Sequence, residues 1–220
     1  MLTPRMQLIF NHVMGKTAAD IGTDHAYIPI ELIKSGKCER VIATDIRKGP
    51  ADTAARHIKK QGLNIEIRVG SGLSVLKPGE TEDIIIAGMG GKLICSILAE
   101  HPQTAAASTL ILQPMNGQYE LRKFLRENNY KTAAEDLTVE GFKVYNLLVI
   151  KECENPVEYN DESDFHLPSA LKGHIYFEQL RQKKQRELGK ILKGNEDAKS
   201  GRNAEVVEYY KKMLERITEK

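Results

Sequence analysis

Apolar and polar positions follow two different periods along the first 150 residues of this chain. Met6, Ile9, Phe10 and Val13 recur at helical spacing over residues 3–14, with Thr3 placed to cap and Pro4 in the first turn. Near-continuous apolar runs then mark strands at 18–21, Val41–Ile46, Ile65–Val69, Ile84–Ala87 and Leu110–Gln113. Helical stretches separate them: about 26–35 ended by Gly36, Gly49 to Gly62, Gly91 through Glu100, and one reaching about Asn128. Near-continuous apolar strands, all but the alternating Ile65-Glu66-Ile67-Arg68-Val69, spaced by helices, predict a parallel sheet covered on both faces. Residues 131–139 and 142–150 are two further strand-like runs with only Glu140-Gly141 between them. So short a connection forces an antiparallel hairpin, because parallel neighbours need a long crossover. The pattern therefore predicts an α/β fold with a seven-stranded sheet.

From residue 152 the chain turns polar, with Pro156 and Pro168, and residues 156–170 are expected to form a linker or covering loop between a main domain (1–155) and a tail (171–220). In the tail, Leu171, Ile175, Leu180, Leu188, Ile191 and Leu192 sit near heptad spacing. After a break at Gly194 to Gly201, Val206, Tyr210, Met213, Leu214 and Ile217 continue the pattern. This predicts an antiparallel helical hairpin, locally like a coiled coil. Two such helices bury little by themselves, so they must pack on the main domain or on a partner.

Composition changes this picture in two places. The net charge of +2 conceals an asymmetry: residues 170–220 hold 13 Lys and Arg against 8 Asp and Glu, while residues 1–169 carry −3. A basic tail on a mildly acidic body suits a polyanion such as nucleic acid, although a solvated helix surface accounts for the charge equally well. Cys38, Cys95 and Cys153 are scattered and never form C-x-x-C, which argues against a disulfide framework or a thiolate metal site. No apolar run approaches the ~20 residues of a membrane span and no signal-peptide pattern opens the chain, so a cytoplasmic protein without membrane or metal partners is expected, as a monomer or weak dimer.

The chemistry concentrates at Ala18-Ala19-Asp20-Ile21-Gly22-Thr23-Asp24-His25-Ala26-Tyr27, where a buried strand meets a glycine turn and a helix opens. Such a turn stands at the carboxyl edge of a parallel sheet, where open α/β folds hold ligands. A dinucleotide fingerprint would need glycine where Asp24 stands, and a carboxylate repels a pyrophosphate. A ligand with an ammonium, a carboxylate and a ribose fits better, and S-adenosyl-L-methionine has all three. Asp45, followed by Ile46, ends the second strand about 20 residues on, the usual place for an acid that binds ribose hydroxyls. Gly70-Ser71-Gly72 would face the adenine edge, with a neutral hydrogen bond from Ser71 or merely as a turn. Ala87-Gly88-Met89-Gly90-Gly91 has more glycine than a turn requires and permits close approach of a donor and an acceptor. Gln113 and Asn116, either side of Pro114-Met115, offer amides suited to the mixed edge of a nucleobase.

These motifs, with Gly49-Pro50 and Leu110-Ile111-Leu112-Gln113-Pro114, resemble the bacterial tRNA N1-adenine methyltransferases that modify adenine 22. Two departures stand out: Ser71 occupies a position where the family usually has an acid, and Met115 intervenes before Asn116. The resemblance covers the whole chain and implies a class I methyltransferase (Rossmann-like) fold, S-adenosyl-L-methionine as donor and tRNA as acceptor. It implies donor contacts from Asp20, Gly22, Thr23, Asp24, His25, Asp45, Ile46, Gly70, Ser71, Gly72 and Ala87 to Gly90. Acceptor contacts are expected from Arg5, Tyr27, Gln113, Pro114 and Asn116, with Lys183 and Lys184 of the basic tail holding the tRNA body. Asp24, His25 and Asn116 are the catalytic candidates. Transfer to another RNA or a small molecule, and a non-catalytic binding module, stay open as alternatives.

Overall fold

The computed structural model describes residues 2–196 and 204–220. Its strands are β1 (Thr17–Ile21), β2 (Arg40–Asp45), β3 (Glu66–Val69), β4 (Asp83–Gly90), β5 (Thr109–Asn116), β6 (Thr132–Glu140) and β7 (Lys143–Ile150). They form one sheet in the order β3-β2-β1-β4-β5-β7-β6. The first five strands pair in parallel, and β7 runs antiparallel to both β5 and β6. This is the seven-stranded class I methyltransferase arrangement. The order reverses between β1 and β4, so the loops after these two strands diverge and leave a crevice at the carboxyl edge.

The helices are α1 (Pro4–His12), α2 (Tyr27–Lys34), α3 (Lys48–Lys60), α4 (Gly91–Glu100), α5 (Pro102–Ala106), α6 (Gln118–Glu127), α7 (Glu162–His166), α8 (Phe177–Glu196) and α9 (Ala204–Glu219). Thr3 caps α1 as expected, its hydroxyl accepting from the Met6 amide. Successive strand residues point to opposite faces, so each apolar strand feeds two cores. On one face Ala18, Ala43, Ile85, Ile111 and Leu147 pack under α1, α2 and α3 through Ile9, Leu32 and Ile58. On the other, Ala19, Ile42, Ile84, Ile86 and Leu110 meet α4 and α6 through Ile94, Leu98 and Leu121. Among the described residues no helix is long and apolar enough to cross a membrane.

Three sequence expectations need adjustment. The hairpin turn falls on Gly141 (φ +59°) and Phe142, since Glu140 already pairs with Lys143. Strand β4 runs on through Gly88 and Met89 as a bulged strand, with register shifts against β5. Residues 156–170 do not form a loose linker: Ser163 to Leu167 are buried and the segment is pinned from several sides. Arg122, fully buried with Glu135 at 2.7 Å, donates to the Phe165 carbonyl, and the Tyr159 hydroxyl donates to Glu135 at 2.6 Å. Helices α8 and α9 pack against each other and, through Leu180, Leu188, Met213 and Ile217, onto Leu137 and Val144 of the sheet. The expected polar break at Gly194 to Gly201 lies partly outside the described residues.

Candidate active site

The loop after β1 is held by its neighbour: the amides of Gly22 and Thr23 both donate to the Thr44 carbonyl, at 2.9 and 2.8 Å. Gly22 has φ +78°, and the Met89 methyl lies where a side chain would begin. Asp24 (φ +49°) and Ala26 (φ +56°) also take left-handed conformations. Two non-glycine residues in that region within three positions store strain, a feature that gathers at ligand sites.

Two cavities flank this loop and share Gly22 and Asp24 as a common wall. The one toward β2 has about 400 Å³ and is lined by Asp45, Ile46, Gly70, Ser71, Gly72 and Met89, together with Thr44, Arg47, Leu93 and Ile97. Asp45 is buried; its Oδ1 accepts from the Arg47 amide at 2.9 Å. The buried Thr44 hydroxyl has no hydrogen-bond partner among the described residues. Ile46 and Leu93 stay more than half exposed and provide apolar walls. A free carboxylate oxygen and an orphaned hydroxyl between apolar walls fit the ribose and base of a nucleoside.

The second cavity, about 260 Å³, is lined by Arg5, Asp20, Thr23, His25, Tyr27, Ala87 and Gly88. Burial pushes the Asp20 carboxyl up to about 6, against the opposing influence of Thr23 and Arg5, with Asp45 adding repulsion. The Thr23 hydroxyl is buried close to Asp20, without a hydrogen bond of good geometry among the described residues, and opposes the effect of burial on that carboxyl. A buried carboxylate short of positive charge fits the ammonium end of an amino acid. The residues present thus suit S-adenosyl-L-methionine lying across the shared wall, with ribose at Asp45 and amino group toward Asp20. A larger groove of about 690 Å³ lies at the opposite sheet edge, against Thr109 and Ile150, and contains none of the glycine-rich loops.

Most of the expected residues therefore converge, and several do not. Arg5 is fixed: its Nη1 donates to Gln113 Oε1 at 3.0 Å, and its backbone amide donates to Glu140 at 3.2 Å. Gln113 Oε1 also accepts from the Gly88 amide at 3.3 Å, and both Gln113 and Pro114 are buried, so they brace the loop instead of presenting a nucleobase edge. Gly90 and Asn116 pair across β4 and β5 and line neither cavity. Lys184 is buried at 6% exposure and donates to Gln118 at 3.1 Å and Glu187 at 2.9 Å. Lys183 donates to the Val144 carbonyl at 3.2 Å. Both help to dock α8; Lys184 is buried away from any phosphate, whereas Lys183 keeps about a quarter of its side chain exposed (27%).

Sequence reasoning missed Thr44, Arg47, Leu93 and Ile97, and also His57. The His57 ring donates through Nδ1 to the His25 carbonyl at 2.7 Å and meets Tyr27 edge-on at 5.1 Å. His25 and Tyr27 rings lie 5.5 Å apart, and Asp24 Oδ2 is 3.6 Å from His25 Nε2. An exposed aromatic cluster thus borders the smaller cavity, supplied partly by α3, which no local motif signals.

Comparison with known proteins agrees with this geometry. A methyltransferase-domain family model matches residues 2–148. The tRNA (adenine(22)-N(1))-methyltransferase of Bacillus subtilis is 37% identical over 163 residues, which is 72% of this chain and 68% of that protein. The crystal structure of the B. subtilis m1A22 tRNA methyltransferase superposes with a TM-score of 0.85 at 28% identity, covering 100% of this chain and 98% of that one. A Streptococcus pneumoniae protein described as a candidate tRNA (m1A22) methyltransferase, solved with S-adenosyl-L-methionine, gives 0.84 at 30% identity, covering 100% and 99%. By the matched family model, the shared fold and this identity, the chain belongs to the tRNA (adenine(22)-N(1))-methyltransferase family.

Proposed function

We propose that this protein methylates N1 of adenine 22 in tRNA, acting in the cytoplasm as a monomer or weak dimer with both cavities formed inside one chain. The observation that carries the reading is the pair of cavities meeting at Gly22 and Asp24. One is suited to a nucleoside donor, and the other is bordered by aromatic rings. S-Adenosyl-L-methionine, when bound, supplies an electrophilic methyl group on a sulfonium. Asp45 accepts hydroxyl hydrogens of the ribose, Ser71 offers a neutral hydrogen bond to the adenine edge, and Ile46 and Leu93 enclose the base. Asp20 faces the amino group.

Adenine N1 has an unprotonated lone pair near neutral pH, so no strong base is required to start the reaction. The new N–C bond forms as the S–C bond breaks, and positive charge passes to the adenine ring. Asp24, on the shared wall, offsets that charge and accepts from the N6 amino group; His25 beside it steadies the carboxylate. Tyr27 packs on the unstacked base and holds N1 in line with the methyl group.

The tRNA body requires contacts beyond the cavity. Helix α8 touches Val144 and Gln118 at the carboxyl edge through Lys183 and Lys184, and its following turns carry Arg186, Lys190 and Lys193. All three are exposed, spaced i, i+4 and i+7 on one face, and none pairs with a carboxylate among the described residues. This row replaces Lys183 and Lys184 as the phosphate-facing surface. The test is methyl transfer from labelled donor to unmodified tRNA transcripts. Label should enter the RNA and vanish when adenine 22 is replaced by guanine; no label in RNA, or equal label in both transcripts, overturns the proposal.

A further inference from the structure

The β6–β7 turn leaves a phenyl ring entirely in solvent. Phe142 has 107% of its reference exposure, whereas Phe10, Phe124, Phe165 and Phe177 are all at least partly buried. Turn chemistry does not ask for it: a two-residue hairpin loop needs its glycine, which is Gly141, and tolerates a polar residue beside it.

The position of the ring is informative. Two residues before Phe142, Glu140 accepts from the backbone amide of Arg5, which lines the smaller cavity. Two residues after it, the Val144 carbonyl accepts from Lys183, at the foot of the Arg186–Lys190–Lys193 row. Phe142 therefore tips the hairpin whose two strands touch Arg5 and the start of the basic stretch of α8, at the carboxyl edge of the sheet. Lys143 is exposed next to it. An uncharged ring contributes nothing to phosphate binding, but it offers a face on which any base stacks, whatever the sequence. Drawing one adenine out of the stack leaves its neighbour with an uncovered face.

We propose that Phe142 is a substrate-positioning residue whose ring stacks on a base flanking the target adenine and so stabilises the unstacked acceptor. This rests on the RNA methyl transfer argued above. A ring at a turn tip, clear of both cavities, has no part in holding the donor.

The experiment uses the full chain as wild type, Phe142→Ala and Phe142→Trp. Each is measured for kcat/KM on a tRNA transcript, affinity for S-adenosylhomocysteine by calorimetry, thermal midpoint and association state by light scattering. Phe142→Ala should lower kcat/KM at least about tenfold, with donor-product affinity, midpoint and association state unchanged. Phe142→Trp, which keeps a stacking face, should stay within about threefold of wild type. Unchanged kcat/KM in Phe142→Ala overturns the inference while the functional reading survives. A dimer that falls to monomer on this substitution, with transfer intact, overturns it in favour of a contact between two copies. If the wild type transfers no methyl group to RNA, the functional reading fails and takes this inference with it.

Discussion

The buried carboxylate of Asp20 makes donor binding depend on pH in a specific way. Its pKa rises from 3.8 to about 6, chiefly through burial. A shift of that size corresponds to about 3 kcal/mol for keeping the group ionised in the empty site. Between pH 4 and 6 the folded protein holds a proton that the unfolded chain has released, so unliganded stability falls as pH rises through that window and then levels off. A donor whose ammonium faces Asp20 favours the ionised form. Donor affinity should therefore be flat above pH 6 and fall by roughly tenfold per unit below it. Calorimetry with S-adenosylhomocysteine in buffers of different ionisation enthalpy reads this directly: binding should release close to one proton at pH 5 and almost none at pH 7.5. Asp20→Asn should abolish the proton release, weaken binding at pH 7.5, and raise the stability of the free protein there by up to about 3 kcal/mol, a net figure that already includes the attraction of Arg5. Affinity that is level from pH 5 to 7, or proton release that persists in Asp20→Asn, would refute the placement of the ammonium.

Asp45→Asn keeps an oxygen for the Arg47 amide but removes the charge from the ribose, so donor affinity should drop by about 1.5–3 kcal/mol in calorimetry. Unchanged affinity would mean that the ribose lies elsewhere. Asp24→Asn should lower turnover about a hundredfold while donor-product affinity moves less than about threefold; equal effects on both would make it a donor ligand only. Reversing charge at Arg186, Lys190 and Lys193 together should reduce the slope of log tRNA affinity against log salt by about 0.7 to 0.9 for each phosphate that is no longer neutralised. Lys184→Met should leave that slope unchanged, because Lys184 is inside the α8 interface.

What was legible in the sequence followed from periodicity and adjacency. Four of the five parallel strands announce themselves because both faces are buried, whereas the edge strand β3 is half exposed and alternates polar with apolar residues; the residues of the Asp20–Tyr27 loop reach the site together because they are neighbours in the chain. Thr44, Leu93 and His57 arrive from other elements, so no local pattern marks them. Glycines at 88 and 90 suggest a turn, yet β4 continues through them by bulging against β5. Residues 156–170 look like a linker because they are polar, but Asp164 satisfies its burial by accepting from the Asn160 and Ser169 amides and pairing with Lys220. The lysine pair at 183–184 shows a different limit. Composition counts charge without its direction, and consecutive helix residues point about 100° apart. One of them turned inward to Gln118 and Glu187.

Donor and target base are expected to meet across the wall formed by Gly22 and Asp24, and everything proposed for the chemistry depends on that meeting. A structure of the protein with S-adenosylhomocysteine and a tRNA transcript tests it most directly. The ribose should lie at Asp45, the amino group toward Asp20, and adenine 22 should be flipped into the smaller cavity beside Tyr27, with N1 on the sulfur side of Asp24. Adenine 22 left in its stack, another base in that cavity, or the ribose away from Asp45 would contradict it.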